Sequence, residues 1–202
     1  ESESRGLGDV YKRQSLEYAE LLITHHPDKW RGYGRAAQDL KTLQRLQEAQ
    51  QQIQTGLDKL PNQINLLTIA TEIYRASGDQ EKSLEYAELL ITHHPDKWHG
   101  YGRAAQDLKT LQRLQEAQQQ IQTGLDKLPN QINLLTIATE IYRASGDQEK
   151  SLEYAELLIT HHPDKWHGYG RAAQDLKTLQ RLQEAQQQIP VSYTHLTLPT
   201  TD

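Results

Sequence analysis

The chain has no cysteine, which removes disulfides, thiolate metal sites and a cysteine nucleophile while leaving both reducing and oxidising compartments open. No apolar run approaches the roughly 20 residues that a membrane-spanning helix needs, and no charged-then-apolar leader opens the chain. An excess of positive charge is missing too. Lys and Arg number 22 against 27 Asp and Glu, a formal net charge of -5, so there is no surplus to neutralise a phosphate backbone or an anionic bilayer. The composition therefore predicts neither a nucleic-acid partner nor membrane insertion, and it leaves localisation unknown. Methionine is absent from all 202 residues, and the chain is expected to be an internal segment of a longer protein.

What the chain does have is repetition. Residues Ser15–Lys82 and Ser83–Lys150 differ only at Arg31 against His99, and Ser151–Ile189 begins a third copy, so the period is 68 residues. A half-period lies inside it, because Pro27, Pro61, Pro95, Pro129 and Pro163 are each 34 residues apart. That length suits one helix-turn-helix unit.

The apolar pattern gives the same reading without reference to length. From Trp30 onward, Tyr33, Ala36, Ala37, Leu40 and Leu43 fall on one helical face. A second stripe follows at Leu46, Ala49, Ile53, Leu57 and Leu60 before Pro61 bars continuation. The other half-period repeats the plan with Leu67, Ala70, Ile73 and Tyr74, then Leu84, Ala87, Leu90 and Ile91 before Pro95. About eleven helices are predicted and no strand in 15–189, with turns near Gln44, Gly78, Gln112, Gly146 and Gln180. Gly78 is expected to end one helix and Asp79 to cap the next, while Asn62 and Asp96 are also placed to cap helix starts.

The residues Leu67, Ala70, Tyr74, Gly78, Ser83 and Pro95, together with Trp30, Ala37, Ala49 and Pro61 in the other half-period, resemble the tetratricopeptide repeat signature over Ser15–Ile189. Leu40 replaces the usual Tyr, Thr71 the usual Gly, and Ile53 or Ala87 an aromatic; all are small or apolar exchanges. The resemblance implies an all-α, right-handed α-solenoid of antiparallel helix pairs, held together by stacking of neighbours. It also implies that the first helix of each pair lines a concave groove for a protein or peptide. By helical phase the groove residues are Arg31, Gly34, Gln38 and Lys41, then Asn65, Thr68, Glu72 and Arg75, with His99, Gln106, Lys109, Asn133, Thr136, Glu140, Arg143 and His167 as their recurrences. Family members that grip chaperone C-termini use Lys, Asn and Arg there. Gly34, Thr68, Gln38 and Glu72 occupy those positions in this chain, so no carboxylate clamp is expected.

The two ends break the pattern. Residues 4–14, SRGLGDVYKRQ, and residues 191–200, VSYTHLTLPT, resemble the translation of a sequencing-library adapter read from opposite strands. The expected domains are therefore a non-native segment at 1–14, the repeat array at 15–189, truncated at both ends, and a non-native tail at 190–202. The first helix is expected to run back into Tyr11–Gln14, because Gly8-Asp9 imitates Gly78-Asp79.

No pattern points to chemistry. Gly32-Tyr33-Gly34-Arg35-Ala36-Ala37 has dinucleotide-site spacing but lacks a preceding strand. The pairs His25/His26, His93/His94 and His161/His162 are adjacent in sequence and diverge by about 100° around a helix, so they cannot chelate from one face; they suit a helix C-terminus. Carboxylates such as Glu85, Glu88, Asp107 and Asp126 are scattered, and Gln50-Gln51-Gln52 keeps helical phase as a solvated face. The position occupied by Arg31, His99 and His167 is the one that differs between copies; a single base change in a young duplication is expected to account for it, with partner tuning on the groove face as the alternative. No catalytic, cofactor or metal site is predicted. The expected role is a non-catalytic interaction scaffold from a larger bacterial repeat protein. A second reading, from the resemblance of HHPDKWHGYGRAAQDL to repeats in bacterial surface-polysaccharide enzymes, makes it the accessory segment of a glycosyl- or sulfotransferase whose catalytic domain lies elsewhere.

Overall fold

The structure, a computed structural model, describes residues 2–181, with side chains from Tyr11 onward. It contains ten helices and no strand among the described residues: α1 (Ser2–His25), α2 (Trp30–Thr42), α3 (Leu46–Lys59), α4 (Ile64–Ala76), α5 (Gln80–His93), α6 (Trp98–Thr110), α7 (Leu114–Lys127), α8 (Ile132–Ala144), α9 (Gln148–His161) and α10 (Trp166–Thr178). The helix expected after Gln180 and the tail at 190–202 lie outside the described residues. The described residues form two compact units that divide between Asp107 and Leu108.

In the first unit each helix packs on the next, α1 on α2, α2 on α3, α3 on α4 and α4 on α5, and α2 also packs on α4. The core follows the stripes read from the sequence, with Tyr33, Ala36, Ala37 and Leu40 of α2, Ala49, Ile53 and Leu57 of α3, Leu67, Ala70 and Ile73 of α4 and Leu90 of α5, and adds Leu66 of α4 and Tyr86 of α5, which those stripes did not include. A helix pair alone would leave its stripe in water, so each is stable through its neighbours. Close approach is built in: a Cβ added at Gly56 would stand 2.7 Å from Cβ of Tyr33. Hydrophobic periodicity does not flag Gly56, because Gly contributes nothing to a stripe. The second unit repeats the plan, with α7 on α8, α8 on α9, α9 on α10 and α8 on α10.

The turns fall where expected. Gly78 and Gly146 adopt φ 82°, and Gln44, Gln112 and Gln180 adopt φ 61°, 60° and 60°. The glutamines reach the left-handed region without glycine's freedom, at a cost of roughly 1–2 kcal/mol each. Asp79 caps α5 as predicted, accepting from the Lys82 amide at 3.0 Å.

Two capping expectations are corrected. Asn62 does not cap α4; it sits at φ 66°, and the adjacent Gln63 accepts from the amides of Asn65 and Leu66. Asn tolerates the left-handed conformation, so it makes the turn and passes the cap to its neighbour. Asp96 is paired with Lys97 at 2.8 Å, and its counterparts Asp28 and Asp164 likewise pair with Lys29 and Lys165, which hold the cap positions of α2 and α10 without a side-chain cap bond. A third correction concerns α1, which extends past Gly8-Asp9 to Ser2. A glycine inside a helix costs only about 1 kcal/mol, so that dipeptide alone does not impose a stop.

Candidate partner-binding face

The G-x-G-x-x-A stretch lies within α2, and its later copies within α6 and α10, so no strand-to-helix turn exists there to cradle a phosphate. Among the described residues no group of three His, Asp or Glu is arranged to hold a metal ion. No described helix is long and apolar enough to cross a membrane. His25, His93 and His161 occupy last helical turns. The following histidines tie loops together: Nε2 of His94 lies 2.6 Å from the Asn62 carbonyl oxygen and that of His162 2.7 Å from the Asn130 oxygen.

The residues expected to line the groove divide into two groups. Arg31 and Gln38 on α2 and His167 on α10 stand exposed, while Lys41, Asn65, Thr68, Glu72, Arg75, His99, Gln106, Lys109, Asn133, Thr136, Glu140 and Arg143 are half-buried. Gly34 is buried, because α4 comes close enough that an added Cβ would meet Ile69 at 2.9 Å. Thr68 turns its hydroxyl onto the Ile64 carbonyl of its own helix at 2.8 Å.

The charged members of the half-buried group are joined across helices. In the first unit Glu72 accepts from Lys41 at 3.0 Å and from Arg103 at 2.6 Å, bridging α2 to α6 through α4. Arg75 donates through Nε to Asp107 at 2.9 Å, through Nη1 to Gln106 at 3.2 Å and through Nη2 to the Arg103 carbonyl at 3.3 Å. Asp107 is fully buried, and its other oxygen accepts from Ser83 at 2.6 Å. Burial pushes the Asp107 carboxyl above its ordinary value, opposed by Ser83 and Arg75. Burial likewise lowers the Arg103 guanidinium, against the pull of Glu72. In the second unit Glu140 receives Lys109 at 3.4 Å and Arg171 at 2.8 Å, and Arg143 reaches Asp175 at 2.8 Å while Ser151 donates to Asp175 at 2.6 Å.

Sequence reasoning therefore named Lys41, Glu72, Arg75 and their repeats but missed Arg103, Arg171, Asp107, Asp175, Ser83 and Ser151. One signal was present: His99, Arg103 and Gln106 are spaced i, i+4, i+7, which puts Arg103 on the same face. His99, at the position that varies between copies, stacks on Trp98 with ring centroids 4.3 Å apart. Its Nδ1 is buried without a hydrogen-bond partner. Burial, with Arg103 and Lys97 nearby, lowers its pKa.

Helix pairs of 34-residue spacing, small residues where helices cross and polar first helices packed side by side agree with one class of solved structure. A tetratricopeptide repeat protein from Parabacteroides merdae superposes with a TM-score of 0.70 at 17% identity, over 98% of this chain and 79% of that one. The thermophilic repeat protein TTC0263 of Thermus thermophilus gives 0.65 at 16% identity, over 87% and 94%. The chain has the tetratricopeptide-repeat fold. YrrB, a repeat protein described as having an unusual peptide-binding site, gives 0.59 at 15% identity, over 78% and 81%. No protein-family model matches the sequence, and no curated protein matches it.

Proposed function

We propose that the chain is a non-catalytic interaction scaffold that binds an extended peptide across the polar face of its first helices, α2 and α4 in one unit and α8 and α10 in the other. The observation that carries this is the division of that face. Most of its charged residues are spent on one another, fixing neighbouring helices, and this leaves a floor from which the exposed Arg31 and Gln38 and the half-buried Asn65 offer hydrogen bonds. A rigid array of donors and acceptors favours a backbone that needs pairing along its length, and modest contacts repeated on successive helices add through effective concentration. That YrrB is a peptide-binding protein of the same fold supports the reading.

Affinity is expected to rise with repeat number. The test selects a ligand from a random peptide library, then compares Arg31→Ala with Gln38→Ala and Asn65→Ala against the outward-facing Gln51→Ala and Gln119→Ala. The first set should weaken binding at least tenfold and the second leave it unchanged; the reverse pattern would move the site to the opposite face. Arg75 and Arg143 are unsuited to this test, because truncating either strands a buried carboxylate.

A further inference from the structure

We propose that the open side of the α1–α2 pair is a docking site for a helix with the chemistry of α4, one that presents Glu, Tyr and Arg in the order of Glu72, Tyr74 and Arg75. The repeat supplies the comparison. From Ser15 onward the residues of α1–α2 recur 68 positions later in α5–α6, with His99 in place of Arg31 as the one exchange, and there the structure shows what covers them. Tyr74 stacks on Tyr86 at 5.3 Å, Glu72 takes Arg103 at 2.6 Å, Arg75 takes Asp107 at 2.9 Å, and Ser83 donates to the Thr71 carbonyl at 3.1 Å. The second unit repeats all four contacts between α8 and the α9–α10 pair: Tyr142 on Tyr154 at 5.3 Å, Glu140 with Arg171 at 2.8 Å, Arg143 with Asp175 at 2.8 Å, and Ser151 with the Thr139 carbonyl at 3.0 Å.

At α1–α2 the same receptors lack this partner. Tyr18 is 62% exposed where Tyr86 and Tyr154 are each 7%. Leu22 is half-buried where Leu90 is 1% exposed. Adjoining hollows of about 460 and 580 Å³ share Tyr18, Leu22, Trp30 and Arg31. The polar receptors have turned on one another: Arg35 donates to Ser15 at 2.8 Å and to Asp39 at 3.1 Å, although Arg103, its counterpart, crosses to Glu72. Arg35 thus fills in for the arginine that an α4-type helix would bring to Asp39. An incoming helix would free Arg35 to meet its glutamate, so the exchange leaves no charge without a partner. The apolar hollow suits a tyrosine ring beside the polar pairs, and face-to-face charge complementarity sets its direction.

The probe is a fluorescently labelled peptide of residues 46–79, which carries the α3–α4 pair, added to the full chain and followed by anisotropy. Saturable binding is expected, weakened at least tenfold by Tyr18→Ala, a substitution that should leave the melting temperature unchanged because that ring is exposed. Arg35→Glu should also weaken binding at least tenfold, and a peptide with Glu72→Arg should restore it on that variant while binding the original chain poorly. No saturable binding, or binding indifferent to both substitutions, would overturn the proposal. So would dimerisation of the chain alone that Tyr18→Ala abolishes and the peptide does not compete with, since the occupant would then be a second copy. These outcomes do not depend on peptide binding at the polar face, where Asn65 and its repeats are read out separately.

Discussion

Asp39 and Asp107 occupy the same place in two copies of one repeat, yet they do different work. Asp107 is fully buried and takes Arg75 from a helix 32 residues upstream and Ser83 from α5. Asp39, 8% exposed, is served by Arg35 of its own helix. Tyr18 and Tyr86 divide in the same way, one in solvent and one stacked and hydrogen-bonded to Gln54 at 2.9 Å. Identical local sequence therefore carries different energies, because the energy of a repeat residue lies in the neighbour that covers it. A repeat array is stabilised at its interfaces as much as within its units.

The comparison can be broken most strongly at the tyrosines. Tyr86→Ala should cost about 3–5 kcal/mol, the scale for emptying a packed aromatic site, whereas Tyr18→Ala should fall within about 0.5 kcal/mol of the parent; chemical denaturation of the two variants measures both. Asp107→Ala comes next. It leaves Arg75 half-buried without its carboxylate, for an expected loss of about 3 kcal/mol. Asp39→Ala releases an exposed Arg35 and should cost less than about 1 kcal/mol. Equal losses for the two aspartates would show that the cross-helix pairing is not what distinguishes them.

The turns sharpen the same contrast on a smaller scale. Gln44→Gly and Gln112→Gly should each stabilise by up to about 1 kcal/mol by relieving a left-handed side chain, offset in part by glycine's greater freedom when unfolded. Gly78→Ala should destabilise by about 1 kcal/mol for the opposite reason. Thermal midpoints of the three variants decide the sign. Deleting residues 1–14 together with 190–202 should change stability by less than about 1 kcal/mol if those segments were never selected to pack; a larger loss would make them part of the array.

The smallest expected effect is at the one position that differs between copies. His99 has a folded pKa below its ordinary 6.5, so the unfolded chain binds the proton more readily. Stability from this residue is complete above pH 6.5 and is lost as the pH falls below that value. Denaturation midpoints at pH 7.5 and 5.5 should differ less in His99→Arg, which carries charge at both, than in the parent. An unchanged pH dependence would show that the buried ring nitrogen is of no consequence.

The helix boundaries were legible because they are set by local chemistry. Periodic Leu, Ala and Ile mark the buried face, and Pro and Gly mark the stops, so all five expected turns fall in place. Gln63 was missed as a cap because Asn62 offered the same function one residue earlier, and the choice rested on which of them could take a positive φ. The candidate face was legible as a set of residues and illegible as a network. Lys41 finds Glu72 31 residues away, and Arg75 finds Asp107 32 away, across helices whose crossing no window of sequence displays.

The sequence by itself determined that this chain is a series of short amphipathic helices with fixed turns, since helix periodicity and turn conformation are properties of a few consecutive residues. The tertiary structure alone decided that Asp107 is buried, that Arg103 belongs to Glu72 and that Tyr18 lies open. Burial and pairing are properties of the neighbouring helix, and two copies of one sequence need not have the same neighbour.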